Sequence, residues 1–168
     1  MKEKPLILIV DDEKDFADNL SEIIRSSGKY DTLVAYSAED AFKIFEDNKK
    51  LLGFANRIKL TLLDIKMPGI SGLELLKKLR DKYNHQSGVM MLTAWEDAEK
   101  FQNARKGEVA AYILKPYKEE DLMNKIDRFF EGKDLWMIEK TKWDTIVREN
   151  QLKTAEEKKE TPPPASYF

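Results

Sequence analysis

Charged and hydroxyl side chains stand at the ends of short apolar runs, and their types suit phosphoryl chemistry. Asp11 and Asp12 follow the first run, Asp64 follows the third, Thr93 ends the fourth and Lys115 follows the fifth. An unpaired charge is costly inside a buried strand, but a carboxylate at a strand end can face a cleft. Carboxylates suit a hard cation such as Mg²⁺, while a hydroxyl and an ammonium suit phosphate oxygens. With no His, Ser or Cys placed to attack, Asp64 is the best candidate for a nucleophile that forms an aspartyl-phosphate.

The elements that must position these side chains alternate along the chain. Apolar, β-branched runs lie at residues 6–10, 30–36, 59–63, 89–93 and 110–114. Each run is followed by apolar residues at helical spacing, and only the fourth such stripe, near residues 97–106, is weak. Five strand-then-helix repeats predict a parallel sheet with helices on both faces. Ligands of such sheets bind beyond the carboxyl ends of the strands, so the residues above are expected to converge.

The overall composition excludes several classes of function. The chain has 168 residues, with 29 Lys and Arg against 31 Asp and Glu, so it lacks the basic excess of a nucleic-acid-binding protein. The absence of cysteine excludes thiolate catalysis and zinc–thiolate sites. The N-terminal apolar run is too short for a signal peptide, and no stretch approaches the roughly 20 apolar residues of a membrane span. We therefore expect a cytoplasmic protein with no membrane segment and no direct binding to DNA.

Four motifs resemble those of one protein family. They are "ILIVDDE", "LLDIKMPGISGLELL", "MLTAW" and "AYILKPY", in this order between about residues 4 and 130. Together they are similar to the receiver domain of two-component response regulators, the family typified by the single-domain chemotaxis regulators. The resemblance implies a doubly wound, flavodoxin-like α/β fold, with a five-stranded parallel sheet of order 2-1-3-4-5 and five surrounding helices.

The resemblance also implies roles for the residues at the strand ends. Asp64 would accept a phosphoryl group from a phosphohistidine on a sensor histidine kinase or a phosphotransfer protein. Mg²⁺ would be held by Asp11, Asp12, Asp64 and the backbone carbonyl of Lys66. Lys115 would pair with the phosphoryl oxygens, through a cis peptide bond to the proline that follows it. Such a protein is a phospho-accepting switch rather than an enzyme acting on a separate substrate.

The same resemblance implies an output surface and a pair of residues that control it. Thr93 would hydrogen-bond the phosphoryl group, and Tyr112 would turn inward behind it. A downstream protein would then recognise the surface of the fourth helix, fifth strand and fifth helix. Tyr112 can alternatively be read as a fixed, packed aromatic residue.

Several residues allow a plainer interpretation or depart from the family pattern. One of Asp11 and Asp12 is expected to help cap the first helix. The only histidine, His85, is expected to be an exposed loop residue rather than a phosphotransfer residue. Lys66 and Trp95 lie two places beyond Asp64 and Thr93, and the resemblance implies that these two positions border the phosphorylation pocket. Because a bulky indole and a long cationic side chain would restrict access of the water that hydrolyses the phosphoryl group, we expect a long-lived phosphoryl state.

The chain is expected to divide into three parts. Residues 1–132 form the receiver domain, 133–160 a helical extension and 161–168 a proline-rich disordered tail. Trp136, Trp143 and Val147 share one helical stripe, which packs on the receiver or on a second copy, or else acts as a signalling or dimerising helix. Extra length between the second helix and third strand is expected to form a longer loop, either a contact site or tolerated length.

Two further functions compete with the phospho-accepting switch. The chain can be the receiver portion of a larger signalling protein, cut before its output domain. It can also be a Mg²⁺-dependent phosphohydrolase with an aspartyl-phosphate intermediate. Enzymes of the haloacid-dehalogenase type place a second Asp two residues after the nucleophile, where this chain has Lys66. That difference counts against a hydrolase.

Overall fold

The computed structural model describes residues 3–50, 55–83, 86–94 and 109–132. The predicted fourth helix and the predicted C-terminal extension and tail lie outside these residues, so the helix called α4 below is the fifth of the predicted order. In chain order the elements are β1 (Leu6–Val10), α1 (Lys14–Ser26), β2 (Asp31–Ala35), α2 (Ala38–Asp47), β3 (Lys49–Lys50), β4 (Ala55–Asn56), β5 (Ile58–Asp64), α3 (Gly72–Tyr83), β6 (Gly88–Ala94), β7 (Ala111–Lys115) and α4 (Glu119–Phe130).

The main sheet has five parallel strands in the order β2-β1-β5-β6-β7. This arrangement confirms the predicted order 2-1-3-4-5. Strand β1 lies between β2 and β5, where Leu8 is in register with Leu33 on one side and Thr61 on the other. Strand order therefore reverses at β1, and the binding crevice of the fold lies beyond the carboxyl ends of β1 and β5.

The apolar core occupies both faces of this sheet. In β1, Leu8 and Val10 pack with residues of α2 and α3, whereas Ile7 and Ile9 pack with residues of α1 and α4. Burial on both faces explains why the strand sequences are apolar throughout rather than alternating. None of the helices in the described ranges is long and apolar enough to cross a membrane.

The segment between α2 and β5, where extra length was expected to form a loop, contains a small antiparallel hairpin of β3 and β4. Asn56 anchors its base, because its side-chain amide donates to the carbonyl of Phe45 (2.9 Å) and its side-chain oxygen accepts from the amide of Ile58 (2.9 Å). Asn56 is buried. The base of the hairpin is therefore fixed to the end of α2 and the start of β5.

Helix α4 contacts the residues just before β2, at the end of the sheet opposite the carboxylates. Asp127 accepts hydrogen bonds from the hydroxyl of Tyr30 (2.6 Å) and the ammonium of Lys29 (2.7 Å). The ring of Phe130 stacks on that of Tyr30 with centroids 4.9 Å apart. Although burial opposes it, these two hydrogen bonds hold the pKa of Asp127 below its ordinary value.

Candidate functional site

Three carboxylates meet where β1 and β5 end side by side. Val10 is in register with Leu63, so the residues that follow them, Asp11 and Asp64, are neighbours at the carboxyl edge of the sheet. One oxygen from each of Asp11, Asp12 and Asp64 lies within 4.8 Å of the others. Asp11 and Asp64 are only 1% and 7% exposed, and Asp12 is more exposed than either. The structure thus brings together the three carboxylates that the sequence singled out.

Lys115, at the end of β7, reaches into this cluster. Its ammonium donates to Asp11 Oδ2 at 2.8 Å and to Asp64 Oδ1 at 3.0 Å. The peptide bond from Lys115 to Pro116 is cis, as predicted. Three carboxylates against one ammonium leave a formal excess of two negative charges. Oxygen ligands carrying this excess fit a hard divalent cation such as Mg²⁺.

The electrostatics of the cluster are those of a partly desolvated charged site. Burial raises the pKa of Asp64 to about 6, with smaller contributions from the charges of Asp11 and Asp12 and with Lys115 opposing them. For Lys115, burial disfavours the charged form, but the hydrogen bonds to Asp11 and Asp64 outweigh it and raise the pKa above its ordinary value. At neutral pH the site therefore holds an ionised but poorly solvated Asp64 beside a permanently charged lysine.

The backbone after β5 sets the position of Asp64. Gly72 begins α3 with its amide donating to the carbonyl of Ile65 (2.9 Å), and a Cβ at position 72 would lie 2.0 Å from the backbone carbonyl oxygen of Asp64. Only glycine allows this approach of helix and strand end. Gly69 has a φ of +74°, which lets the chain turn sharply after Pro68.

A capping box fixes the start of α3 beside the site. The backbone amide and the hydroxyl of Ser71 donate to a Glu74 carboxylate oxygen at 2.9 and 2.8 Å, and the amide of Glu74 donates back to the Ser71 hydroxyl at 3.3 Å. Such reciprocal bonds satisfy amides that the first turn of a helix leaves unpaired. The loop 65–71 is therefore held at both ends.

At the start of α1 the structure differs from the expectation that Asp11 or Asp12 caps the helix. Glu13 occupies the N-cap position and makes no side-chain capping bond. Asp11 instead accepts a hydrogen bond from the amide of Glu13 at 3.0 Å with one carboxylate oxygen, while its other oxygen binds Lys115. Both aspartates precede the cap position, so their carboxylates face the pocket rather than the first turn of the helix.

Two aromatic residues beside the lysine were not recognised as part of the site from the sequence. The ammonium of Lys115 lies 4.1 Å from the ring centroid of Phe16. The ring of Tyr117 meets that of Phe16 edge to face, with centroids 6.0 Å apart and planes at 73°. The sequence pattern predicted only that Phe16 belongs to the apolar face of the first helix. The available signal was its place five residues after Asp11, on the first turn of the helix that borders the crevice.

Thr93 adjoins the site, and Tyr112 packs on the α2 and α3 face of the sheet. Thr93 follows Leu92, which is in register with Asp64, and its buried hydroxyl donates to the carbonyl of Ala94 at 3.0 Å. Tyr112 is in register with Met91 and is half-buried against the core on the α2 and α3 face. The proposed switching roles of both residues stay predictions.

Three further residues singled out from the sequence are Lys66, His85 and Trp95. Lys66 has an exposed side chain two residues beyond Asp64, and its carbonyl as a metal ligand stays a prediction. Trp95 and His85 lie outside the described residues, so their expected positions stay predictions as well.

Comparison with protein families and curated sequences gives a consistent result. Residues 7–127 match the model of the response regulator receiver domain. The chain is 33% identical over 121 residues to the transcriptional regulatory protein CpxR of Klebsiella pneumoniae, and 32% identical over 121 residues to the regulatory protein VanR of Enterococcus faecium. Each match covers 71% of this chain and 47% of the relative. The chain thus spans about half the length of these curated relatives.

Solved structures with the same fold include receiver domains. The response regulator TrrA of Thermotoga maritima, crystallised in complex with Mg²⁺ and BeF, is 28% identical with a TM-score of 0.61, and the match covers 75% of this chain and 98% of that one. The receiver domain of NtrX from Brucella abortus is also 28% identical, with a TM-score of 0.64 and coverage of 74% and 98%.

Proposed function

The chain belongs to the family of response regulator receiver domains, and from this premise we propose that Asp64 accepts a phosphoryl group in a Mg²⁺-dependent reaction. The observation that carries the proposal is the cluster of Asp11, Asp12 and Asp64 with Lys115 bonded to two of them. A structural salt bridge needs one carboxylate per lysine. Here the surplus of two negative charges matches a dication, and a bound dication together with Lys115 would compensate the charge of a phosphoryl group.

In the proposed reaction an Asp64 carboxylate oxygen attacks the phosphorus of a phosphohistidine. A phosphorus–oxygen bond forms, the phosphorus–nitrogen bond breaks, and its electron pair leaves with the imidazole. Lys115, already bonded to Asp64, shifts a hydrogen bond to a phosphoryl oxygen and so compensates its charge. Bound Mg²⁺, held by Asp11, Asp12, Asp64 and the Lys66 carbonyl, would neutralise the phosphoryl oxygens.

We propose that Thr93 and Tyr112 convert this event into a change of surface. A phosphoryl group adds about −1.5 to −2 charge at one strand end. The hydroxyl of Thr93, which donates to Ala94, would donate to the phosphoryl group instead, and Tyr112 would fill the space behind it. The affected surface is that of β7, α4 and the helix predicted near residues 97–106, where a partner protein would bind. Phosphorylation shifts the population from the arrangement in which Thr93 donates to Ala94 to the one in which it donates to the phosphoryl group. The size of this shift depends on how much more strongly the second arrangement binds the phosphoryl group.

The proposed partners follow from the family. Receiver domains pair with histidine kinases, and we propose a sensor kinase or phosphotransfer protein as the donor, acting in the cytoplasm. The curated relatives are named as regulatory proteins, and the matched region covers about half of each of them. For this chain we propose a receiver at residues 1–132 that acts through a protein target, a helical extension at 133–160 with a role in signalling or homodimerisation, and a disordered tail at 161–168. A longer protein with a separate output domain is the alternative.

The proposal is tested by intact mass after incubation with Mg²⁺ and acetyl phosphate, with Asp64→Ala as control. We expect a gain of one phosphoryl group in the wild type and none in Asp64→Ala or with EDTA. A wild type that gains no phosphoryl group and binds no beryllofluoride in the presence of Mg²⁺ would contradict the proposal. Steady turnover of a phosphate monoester would instead favour the hydrolase alternative. The decay of the phosphorylated protein then tests the long-lived state, since loss within seconds would exclude it.

A further inference from the structure

The face of the Phe16 ring lies against the ammonium of Lys115 at the edge of the carboxylate cluster. The distance from Lys115 Nζ to the ring centroid is 4.1 Å, well inside the range of about 6 Å in which an aromatic face attracts a cation. The side chain of Lys115 is 22% exposed, so water screens this attraction less than it would at a surface. Within the part of the chain that the structure describes, Asp11, Asp64 and Phe16 therefore all attract the charge of Lys115.

The third neighbour differs in kind from the two carboxylates. A lysine ammonium has three N–H groups, and Asp11 and Asp64 each accept from it. An aromatic face attracts the charge through its quadrupole without taking a conventional hydrogen bond. A carboxylate or amide in the place of Phe16 would compete for the N–H groups that a phosphoryl oxygen needs.

The Phe16 ring is itself held by a second aromatic side chain. Tyr117 lies two residues after Lys115 and packs edge to face against Phe16. Phe16 is half-buried on α1 and also contacts the core shared by α1 and α4. A flexible lysine with four carbon–carbon torsions thus ends against a ring whose orientation is set by the neighbouring loop and helix.

We infer that Phe16 is a positioning residue for phosphoryl transfer, because its ring holds the Lys115 ammonium at the pocket with its N–H groups free to serve oxygens. This inference rests on the proposed function of Asp64 as the phosphoryl acceptor. A lysine already in place loses little freedom when the transition state forms, so its stabilisation of the phosphoryl oxygens is preorganised. Removing the ring lets the ammonium sample other positions and slows transfer without touching the acceptor.

The test compares four proteins with wild type in the full chain. Phe16→Leu removes the aromatic face but keeps an apolar side chain, Phe16→Tyr keeps the face, and a fluorinated phenylalanine at position 16 keeps the ring shape but weakens its negative face. Phe130→Leu is the matched control, because it removes an aromatic ring stacked on Tyr30 at the opposite edge of the sheet. The measurements are the rate of phosphorylation by acetyl phosphate, the affinity for beryllofluoride at saturating Mg²⁺, and the affinity for Mg²⁺ alone.

We expect Phe16→Leu and the fluorinated residue to lower both the rate and the beryllofluoride affinity by about three- to tenfold. Their affinity for Mg²⁺ alone should be unchanged, and Phe16→Tyr should restore the wild-type rate. Phe130→Leu should lower thermal stability but leave the rate as it is. Because the small donor needs no protein partner, a change of rate cannot come from lost contacts with a kinase.

The fluorinated residue decides between positioning and simple packing. If it matches wild type while Phe16→Leu is slow, or if the loss in Phe16→Leu extends equally to Mg²⁺ affinity, Phe16 only fills space and the inference is wrong. Rates equal to wild type in all Phe16 variants would also overturn it. These results are distinct from failure of the proposed function, in which wild type itself gains no phosphoryl group and binds no beryllofluoride.

Discussion

Replacing Asp64 by Asn should make the metal-free protein more stable. Asp64 is 7% exposed and shares the pocket with Asp11 and Asp12. Burial raises its pKa to about 6 in spite of the opposing effect of Lys115, so the ionised form is less favourable in the folded chain than in the unfolded one. Asparagine has nearly the same shape and can still accept a hydrogen bond from Lys115, but it carries no charge.

The size and the pH dependence of this effect follow from the pKa of Asp64. A rise from 3.8 to about 6 corresponds to about 3 kcal/mol at neutral pH. We expect about 1 to 2 kcal/mol, because the pocket opens to solvent beside Asp12 and water screens its charges. Below about pH 4 the carboxyl is protonated in both states and costs nothing. Between about pH 4 and 6 the folded state keeps the proton that the unfolded state releases, so stability falls as pH rises, and above about pH 6 the cost is complete.

The assay is urea denaturation in EDTA across about pH 4 to 8, comparing wild type with Asp64→Asn. The free-energy difference between them should be near zero at the acid end, grow with pH and level off above about pH 6. Adding Mg²⁺ should stabilise wild type more than the variant. Asp127→Asn is the matched control, since its carboxylate has a lowered pKa and its loss should destabilise the protein. An Asp64→Asn protein no more stable than wild type at neutral pH in EDTA would refute the reasoning.

Three other substitutions test separate parts of the structure. Asp127→Asn should cost about 1 kcal/mol at neutral pH in urea denaturation, because it weakens a charge-assisted hydrogen-bond pair; the difference should shrink as pH falls and the wild-type carboxylate becomes protonated. Lys115→Met should destabilise the metal-free protein by about 2 kcal/mol. This is less than the usual cost of removing one partner of a fully buried ion pair, because Asp64 can take up a proton. Calorimetric titration should show tighter Mg²⁺ binding to this variant, since a competing cation is gone. Gly72→Ala should cost about 1 to 3 kcal/mol in thermal denaturation, because its Cβ would lie 2.0 Å from the Asp64 carbonyl oxygen, and it should slow phosphorylation by displacing that residue.

The parallel sheet and the meeting of carboxylates at its edge were predictable because both follow from patterns along the chain. Continuous apolar runs mark strands buried on both faces, and parallel strands bring their carboxyl ends to one edge. The bounds of the apolar runs differ from those of the strands by at most one residue at either end, and Asp64 is the last residue of its strand, as expected. The hairpin of β3 and β4 was not predictable, since strands of two residues carry no periodic signal.

The contacts that orient the site were not predictable, because they join distant parts of the chain. Phe16 and Lys115 are 99 positions apart, and a phenylalanine in an apolar helical stripe indicates only burial. The role of Gly72 depends on a distance to the carbonyl of Asp64 that no local pattern encodes. The cap at Glu13 was missed because Asp residues are favoured at that position, while here the carboxylate of Asp11 serves Lys115.

The surplus of negative charge in the pocket connects stability with function. Asp11, Asp12 and Asp64 carry three charges against one on Lys115, and the fold bears this cost in the absence of metal. The same surplus favours the binding of a dication, because an ion that binds only the folded state removes the repulsion among the carboxylates and so stabilises the fold. Removing one carboxylate relieves the repulsion and removes an oxygen ligand in the same step, and at Asp64 it also removes the proposed acceptor. Substitutions that stabilise the metal-free protein by removing a charge from this pocket should therefore weaken Mg²⁺ binding. A variant that is more stable without metal and also binds Mg²⁺ more tightly would mean that the carboxylate repulsion is not what makes Mg²⁺ binding favourable.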